Sequence, residues 1–158
     1  MKENKILFIG AGNMGSAIIK GLKQKTDFEN NIYFYEPTED IRNEISAKLN
    51  IKAISEINKE IAEFDTIIFA VKPQVFRNFP TDKNMANLAN FITEKQLILS
   101  IMAGISISTI NDFLTNAKRL ESVYKRLSDD ISKKAFVNSL KFRLTGNINY
   151  LFECETGV

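Results

Sequence analysis

The stretch Ile6-Leu7-Phe8-Ile9-Gly10-Ala11-Gly12-Asn13-Met14-Gly15 decides the fold. Four consecutive apolar residues read as a buried strand, and they run straight into the spacing Gly10-x-Gly12-x-x-Gly15. Met14, Ala17, Ile18, Gly21 and Leu22 then fall at helical intervals, so strand, glycine turn and helix follow without a gap. Each glycine has a task in such a unit. Gly10 permits the tight turn, Gly12 lets the backbone come close to a phosphate, and Gly15 lets the helix pack on the strand. The free N–H groups and positive dipole end of the helix then face an anion, which suits the pyrophosphate of a dinucleotide. The plain alternative is a glycine-rich turn that binds nothing.

Units of this kind carry an acidic residue about 20 positions further on, at the end of the second strand. Asn31-Ile32-Tyr33-Phe34-Tyr35 supplies that strand, and Glu36 stands at its end. A carboxylate there accepts the adenosine ribose 2′-hydroxyl, which favours NAD and repels the 2′-phosphate of NADP. Thr38 and Arg42 lie near enough to hold that phosphate if Glu36 turns outward, so NAD and NADP both stay open. The bland reading of Glu36 is a solvated turn residue before Pro37.

A chain of 158 residues, 44% apolar and 25% charged, has the composition of an ordinary soluble protein and room for one sizeable core. Its net charge of +2 arises from lysines interleaved with acids, which argues against a nucleic-acid footprint. The single cysteine, Cys154, excludes an internal disulfide and suits a reducing compartment. The opening Met-Lys-Glu-Asn-Lys runs directly into the first strand, and no apolar run approaches a membrane span of about 20 residues. These features predict a cytoplasmic protein without a membrane partner. The chain has no histidine, which removes the side chain most used for proton transfer near neutral pH, and no acidic loop suggests a metal site.

Further along, Ile41, Ile45 and Leu49 predict a helix over Glu39–Leu49, followed by a short strand near Ile51–Ile54. Ser55 is expected to begin a third helix with Ile57 and Ile61 inward. The apolar run Thr66–Val71 predicts a parallel strand covered on both faces, with Lys72-Pro73-Gln74 in the loop at its C-terminal end. Thr81 is expected to cap a helix containing Met85, Leu88 and Ile92; Gln96–Met102 reads as another buried strand ended by Ala103-Gly104. A short helix with Ile110, Phe113 and Leu114 follows. Alternating strands and helices with short connections predict an α/β fold, a Rossmann-like doubly wound parallel sheet with helices on both sides. Leu120, Val123, Tyr124 and Leu127, then Phe136, Leu140 and Leu144, predict a helical C-terminal tail. The expected division is a dinucleotide-binding domain over 1–116 and a tail over 117–158 with no catalytic constellation.

Four segments of residues 5 to about 115 resemble the N-terminal half of pyrroline-5-carboxylate reductases. They are Ile9-Gly10-Ala11-Gly12-Asn13-Met14-Gly15 with Ser16-Ala17-Ile18, Tyr35-Glu36-Pro37, Ala70-Val71-Lys72-Pro73-Gln74, and Ser100-Ile101-Met102-Ala103-Gly104-Ile105. The resemblance implies an NAD(P)H-dependent reduction of 1-pyrroline-5-carboxylate to proline. It also implies that Gly12, Asn13 and Met14 meet the pyrophosphate, that Glu36 lies near the adenosine ribose, and that Ala70, Val71, Lys72 and Pro73 lie near the nicotinamide end. Pro73 would fix the backbone there and hold Lys72 extended, and Lys72 either offers positive potential to an anion or is a solvated loop residue.

The family's helical C-terminal domain, which forms its dimer and completes its substrate pocket, has no counterpart in the sequence after about Ala117. Leu127–Phe152 instead has a short likeness to the segment ahead of FkbM-type methyltransferase domains, without an S-adenosylmethionine motif. The expectation is a dinucleotide-binding protein of this reductase type that is inactive alone. The alternatives are a non-catalytic dinucleotide-binding or interaction module and a truncated or fused gene product.

Overall fold

The computed structural model describes residues 4–24, 31–79 and 82–124, with the backbone only at 83, 86 and 116–124. Two compact units emerge, one of the residues up to Pro73 with Phe91–Ile105, the other of Gln74–Asn90 with the residues from Ser106 on.

The first unit holds the sheet. Strands β1 (Ile6–Ile9), β2 (Ile32–Tyr35), β3 (Lys52–Ile54), β4 (Thr66–Phe69) and β5 (Leu97–Ser100) are ordered β3-β2-β1-β4-β5. All neighbours pair in parallel. The fold is therefore Rossmann-like, with the strand order reversing direction beside β1. Helices α1 (Asn13–Lys23) and α2 (Glu39–Leu49) belong to the same unit. Ile6 and Phe8 of β1 share a core with Ile32 and Phe34 of β2, Ile68 of β4, Ile19 of α1 and Leu49 of α2. Leu7, Ile9, Ile67 and Phe69, which alternate with them, have no exposed surface. The central strands are thus buried on both faces, which is why they read as unbroken apolar runs.

Local chemistry sets the helix ends. Glu39 and Asp40 complement the dipole in the first turn of α2, and its last carbonyls at Leu49 and Asn50 accept from Lys23 Nζ at 2.8 and 2.9 Å. Ile41, expected on the buried stripe of α2, is 44% exposed because it sits in that first turn, beyond the core closed by Ile45 and Leu49.

Several expectations change. Where a third α-helix was expected from Ser55, a 3-10 turn spans Lys59–Glu63, held by Ile61 N donating to Asn58 O at 3.1 Å. The Asn58 side chain caps it by accepting from Glu60 N at 2.8 Å, and 3-10 bonding of this kind is the usual form of a short connector. Pro73 opens a short helix, α3 (Pro73–Arg77), and so Lys72-Pro73-Gln74 is not all loop. Proline suits a first helical position because its missing N–H would be unpaired there anyway. Strand β5 is shorter than expected and is not buried, with Leu97 55% and Leu99 43% exposed; among the described residues it is an edge strand, paired with β4 alone.

The second unit carries most of α3, with α4 (Lys83–Phe91, all but its last residue) and α5 (Ile107–Tyr124). Its core includes Phe76, Phe79 and Phe113, whose rings meet pairwise at centroid distances of 5.2, 5.4 and 5.9 Å. Thr81, expected as the cap of this helix, lies outside the described residues; Asp82 caps α4, its Oδ1 accepting from Asn84 N at 2.8 Å and Met85 N at 3.0 Å. Asp82 stands immediately before the helix, where a carboxylate reaches the free N–H groups and meets the dipole. The two helices expected between Ile110 and Leu127 begin as one, since α5 runs unbroken through residues 116 and 117. The later tail helices and the FkbM-like segment lie outside the described residues. No helix among the described residues is long and apolar enough to cross a membrane.

Candidate functional site

The parallel register aligns the C-terminal ends of the strands. Ile9 stands opposite both Tyr35 and Phe69, and Phe69 opposite Ser100. Gly10, Glu36 and Ala70 therefore leave the sheet at one edge, which is where open α/β sheets bind ligands. Hydrogen bonds continue past the strands there, Gly10 N donating to Tyr35 O at 3.3 Å and Ala70 N to Ile9 O at 2.9 Å. The Ser100–Ile105 segment reaches the same edge, where Ile101 N donates to Phe69 O at 3.1 Å and Gly104 turns at φ +72°.

Each glycine of the turn meets a different constraint. Gly10 has φ +89°, and a Cβ on it would stand 2.6 Å from Val71 Cγ1 and 3.3 Å from the Ala70 carbonyl. A Cβ on Gly15 would lie 3.1 Å from Gly10 O and 3.3 Å from Ala70 Cβ. Gly12 differs from both. Its Cβ position has nothing within 4 Å, and the residue is exposed. Gly10 and Gly15 are thus required by packing within the protein, whereas Gly12 borders open space.

That space faces the start of α1. Gly12 is the N-cap, no side chain caps the helix, and its first turn carries no acid. The leading N–H groups of α1 are consequently left for an external acceptor. By contrast α2 neutralises its own dipole with Glu39 and Asp40. Asn13 and Met14 are exposed beside Gly12, Met14 to 65%. Met14 thereby leaves the apolar stripe on which its spacing placed it, since the first turn of α1 overhangs the sheet edge. Ser16 bridges the turn, its Oγ donating to Ala11 O at 2.7 Å while its N donates to Gly12 O at 2.8 Å.

Around Glu36 the side chains fold back on the chain. Glu36 Oε1 accepts from Thr38 N at 2.9 Å, and Arg42 Nη1 donates to Glu36 O at 3.0 Å and Pro37 O at 3.1 Å. A carboxylate and a guanidinium therefore stand together at the end of β2. Ala70 and Val71 are half-buried behind the glycine turn, Lys72 is exposed, and Pro73 begins α3. The structure brings all ten residues expected at a dinucleotide to the ends of β1, β2 and β4. The element missed from sequence is the Ser16 bridge. A hydroxyl directly after the third glycine was its only signal. No group of metal-ligating side chains occurs among the described residues.

The family described as NADP oxidoreductase, coenzyme F420-dependent, matches residues 5–104. The pyrroline-5-carboxylate reductase of Methanosarcina acetivorans is 35% identical over 136 residues, covering 85% of this chain and 48% of that protein. Among solved structures, a pyrroline-5-carboxylate reductase from Coxiella burnetii has a TM-score of 0.59 at 16% identity, covering 98% of this chain and 77% of that one. A Plasmodium falciparum pyrroline carboxylate reductase with NADP bound has a TM-score of 0.54 at 20% identity, covering 91% of this chain and 56% of that one. At those identities the two structures show a shared fold. The chain spans about half the length of the curated relatives it matches, 48% and 43% of the first two. The match with the Methanosarcina protein, at 136 residues, also carries the likeness past Ala117 into the C-terminal segment. With its profile match lying over β1 to the end of the β5 turn, the chain belongs to the family of NADP oxidoreductases, coenzyme F420-dependent.

Proposed function

We propose that the chain binds a nicotinamide dinucleotide along the C-terminal edge of its sheet, as the cofactor half of a pyrroline-5-carboxylate reductase. The observation that carries this reading is the uncapped start of α1, beside a Gly12 with no atom within 4 Å of its Cβ position. The pyrophosphate lies against the N–H groups of Gly12, Asn13 and Met14, where the helix dipole favours its charge. The adenosine ribose lies by Glu36, and the nicotinamide end by Ala70, Val71, Lys72 and Pro73. The likeness to relatives named as reductases supports this orientation.

Either dinucleotide fits the end of β2. Glu36 accepts the ribose 2′-hydroxyl of NAD if it leaves Thr38 N, and Arg42 pairs with the 2′-phosphate of NADP if it leaves the Glu36 and Pro37 carbonyls. The two side chains therefore set the preference.

The bound dihydronicotinamide would supply a hydride to the imine carbon of 1-pyrroline-5-carboxylate, and a proton on the nitrogen completes proline. The residues of this chain hold and orient the dinucleotide. Hydride transfer also needs the imine held at short range with water excluded. Titration of the purified chain with NADH and NADPH by calorimetry, beside Gly12→Val, tests the reading. Saturable binding that Gly12→Val abolishes is expected; no binding to either dinucleotide would overturn it.

A further inference from the structure

We propose that Ser16 is a positioning residue for the dinucleotide's pyrophosphate, a role that rests on the binding reading above. Ser16 holds two successive carbonyls. Its Oγ donates to Ala11 O at 2.7 Å, and its N–H donates to Gly12 O at 2.8 Å. In a planar trans peptide the C=O and the following N–H point in opposite directions. Fixing the Ala11 carbonyl toward Ser16 therefore turns the Gly12 N–H away from the helix, and fixing the Gly12 carbonyl does the same for the Asn13 N–H.

Any residue at position 16 supplies the second bond, because it is an ordinary helical one. Only a side-chain donor supplies the first. The bond spans five residues, so it is not the i−4 back-bonding that serine makes inside helices; it ties the helix to the loop ahead of it. The Ala11–Gly12 peptide has need of such a tie. Gly12 is exposed, and the Gly12 N–H has no acceptor among the described residues. A glycine next to open space rotates freely unless something outside it fixes the plane. Ser16 fixes the plane without entering the space the phosphates need, as a capping side chain at position 12 would.

The pre-set donor has a definable cost of removal. Without the hydroxyl, the Ala11–Gly12 peptide must be ordered by the ligand itself, and the donor bond to a charged acceptor forms less often. An affinity loss of about tenfold follows from one such bond. Folding loses one partly buried bond as well, since Ala11 is buried, and stability and affinity are therefore measured side by side.

The test titrates wild type, Ser16→Ala and Ser16→Thr with NADH and NADPH, and follows the Gly12 amide by 1H–15N NMR. We expect Ser16→Ala to keep the wild-type melting temperature within a few degrees and to bind about tenfold more weakly. Ser16→Thr keeps the hydroxyl and recovers most of the affinity. In wild type the Gly12 amide proton moves downfield at saturation, and in Ser16→Ala it moves less. Equal affinity and an equal Gly12 shift in Ser16→Ala would overturn the role of Ser16 while leaving dinucleotide binding intact. So would a Gly12 amide that does not move when wild type saturates, a result independent of whether any variant folds. A wild-type chain that binds neither dinucleotide overturns the binding reading and this role together.

Discussion

Val71 Cγ1 occupies the place next to Gly10 where a side chain on that glycine would begin, 2.6 Å from the missing Cβ. The glycine turn after β1 and the loop after β4 are thereby locked into one shape. Gly10 also turns at φ +89°, which costs an L-residue about 1–2 kcal/mol. Gly10→Ala should therefore destabilise the fold by about 3 kcal/mol, part from backbone strain and part from overlap with Val71. Val71→Ala in that background should recover about 1–2 kcal/mol, the overlap alone, because the backbone strain stays. Urea denaturation of the two single variants and the double variant measures the coupling. Additive effects would show that the turn does not lean on Val71.

Gly12 separates binding from folding. With nothing within 4 Å of its Cβ position and an ordinary φ of −63°, it tolerates a side chain in the protein alone. Gly12→Val should lower stability by no more than about 1 kcal/mol, the cost of a poor N-cap, while dinucleotide affinity falls by about a hundredfold or more. Thermal denaturation and calorimetry on the same samples check both halves. A variant that loses stability and affinity in proportion would mean that Gly12, like Gly10, is required for packing.

The end of β2 yields a pair of opposite effects. Arg42→Ala removes the guanidinium now anchored on the Glu36 and Pro37 carbonyls, and should weaken NADPH about tenfold with little change for NADH. Glu36→Gln removes the carboxylate that repels a 2′-phosphate, and should weaken NADH about threefold to tenfold while improving NADPH. Paired titrations of each variant with both dinucleotides give the ratio directly. Equal changes for the two cofactors in both variants would place the ribose elsewhere.

The β1–turn–α1 unit was legible because three independent signals are contiguous: an apolar strand, a glycine spacing and a helical repeat. The parallel sheet followed from alternating elements and crossover handedness, and the site edge from the ends of the strands. What escaped reading depended on tertiary position. Leu97 and Leu99 have the same side chains whether a strand is central or at an edge, and the pairing of β5, which among the described residues is with β4 alone, shows which. Ser16 was visible only as a polar residue after the third glycine. Its bond reaches back to Ala11 because the turn curls over the helix start, a matter of backbone shape.

Gln96 gives the last prediction, which concerns how the 3-10 turn and β5 are held to the same sheet. Its Nε2 donates to Ile61 O at 2.7 Å and Phe64 O at 2.8 Å, and its Oε1 accepts from Thr93 N at 2.8 Å. One amide thus closes three backbone groups just before β5, two of them more than thirty residues distant in sequence. Gln96→Ala should cost about 2–3 kcal/mol, since two partly buried carbonyls each lose a donor, Ile61 O keeping only Phe64 N. Gln96→Glu should cost at least as much, because a carboxylate keeps the acceptor for Thr93 but faces two carbonyl oxygens with none of the donors they need. Denaturant midpoints order the three proteins, and hydrogen exchange at Leu97 and Ile98 should accelerate in both variants as the edge strand loosens. A Gln96→Glu chain as stable as wild type would mean that the amide donors contribute nothing and that packing of Ile61 and Phe64 alone anchors the turn.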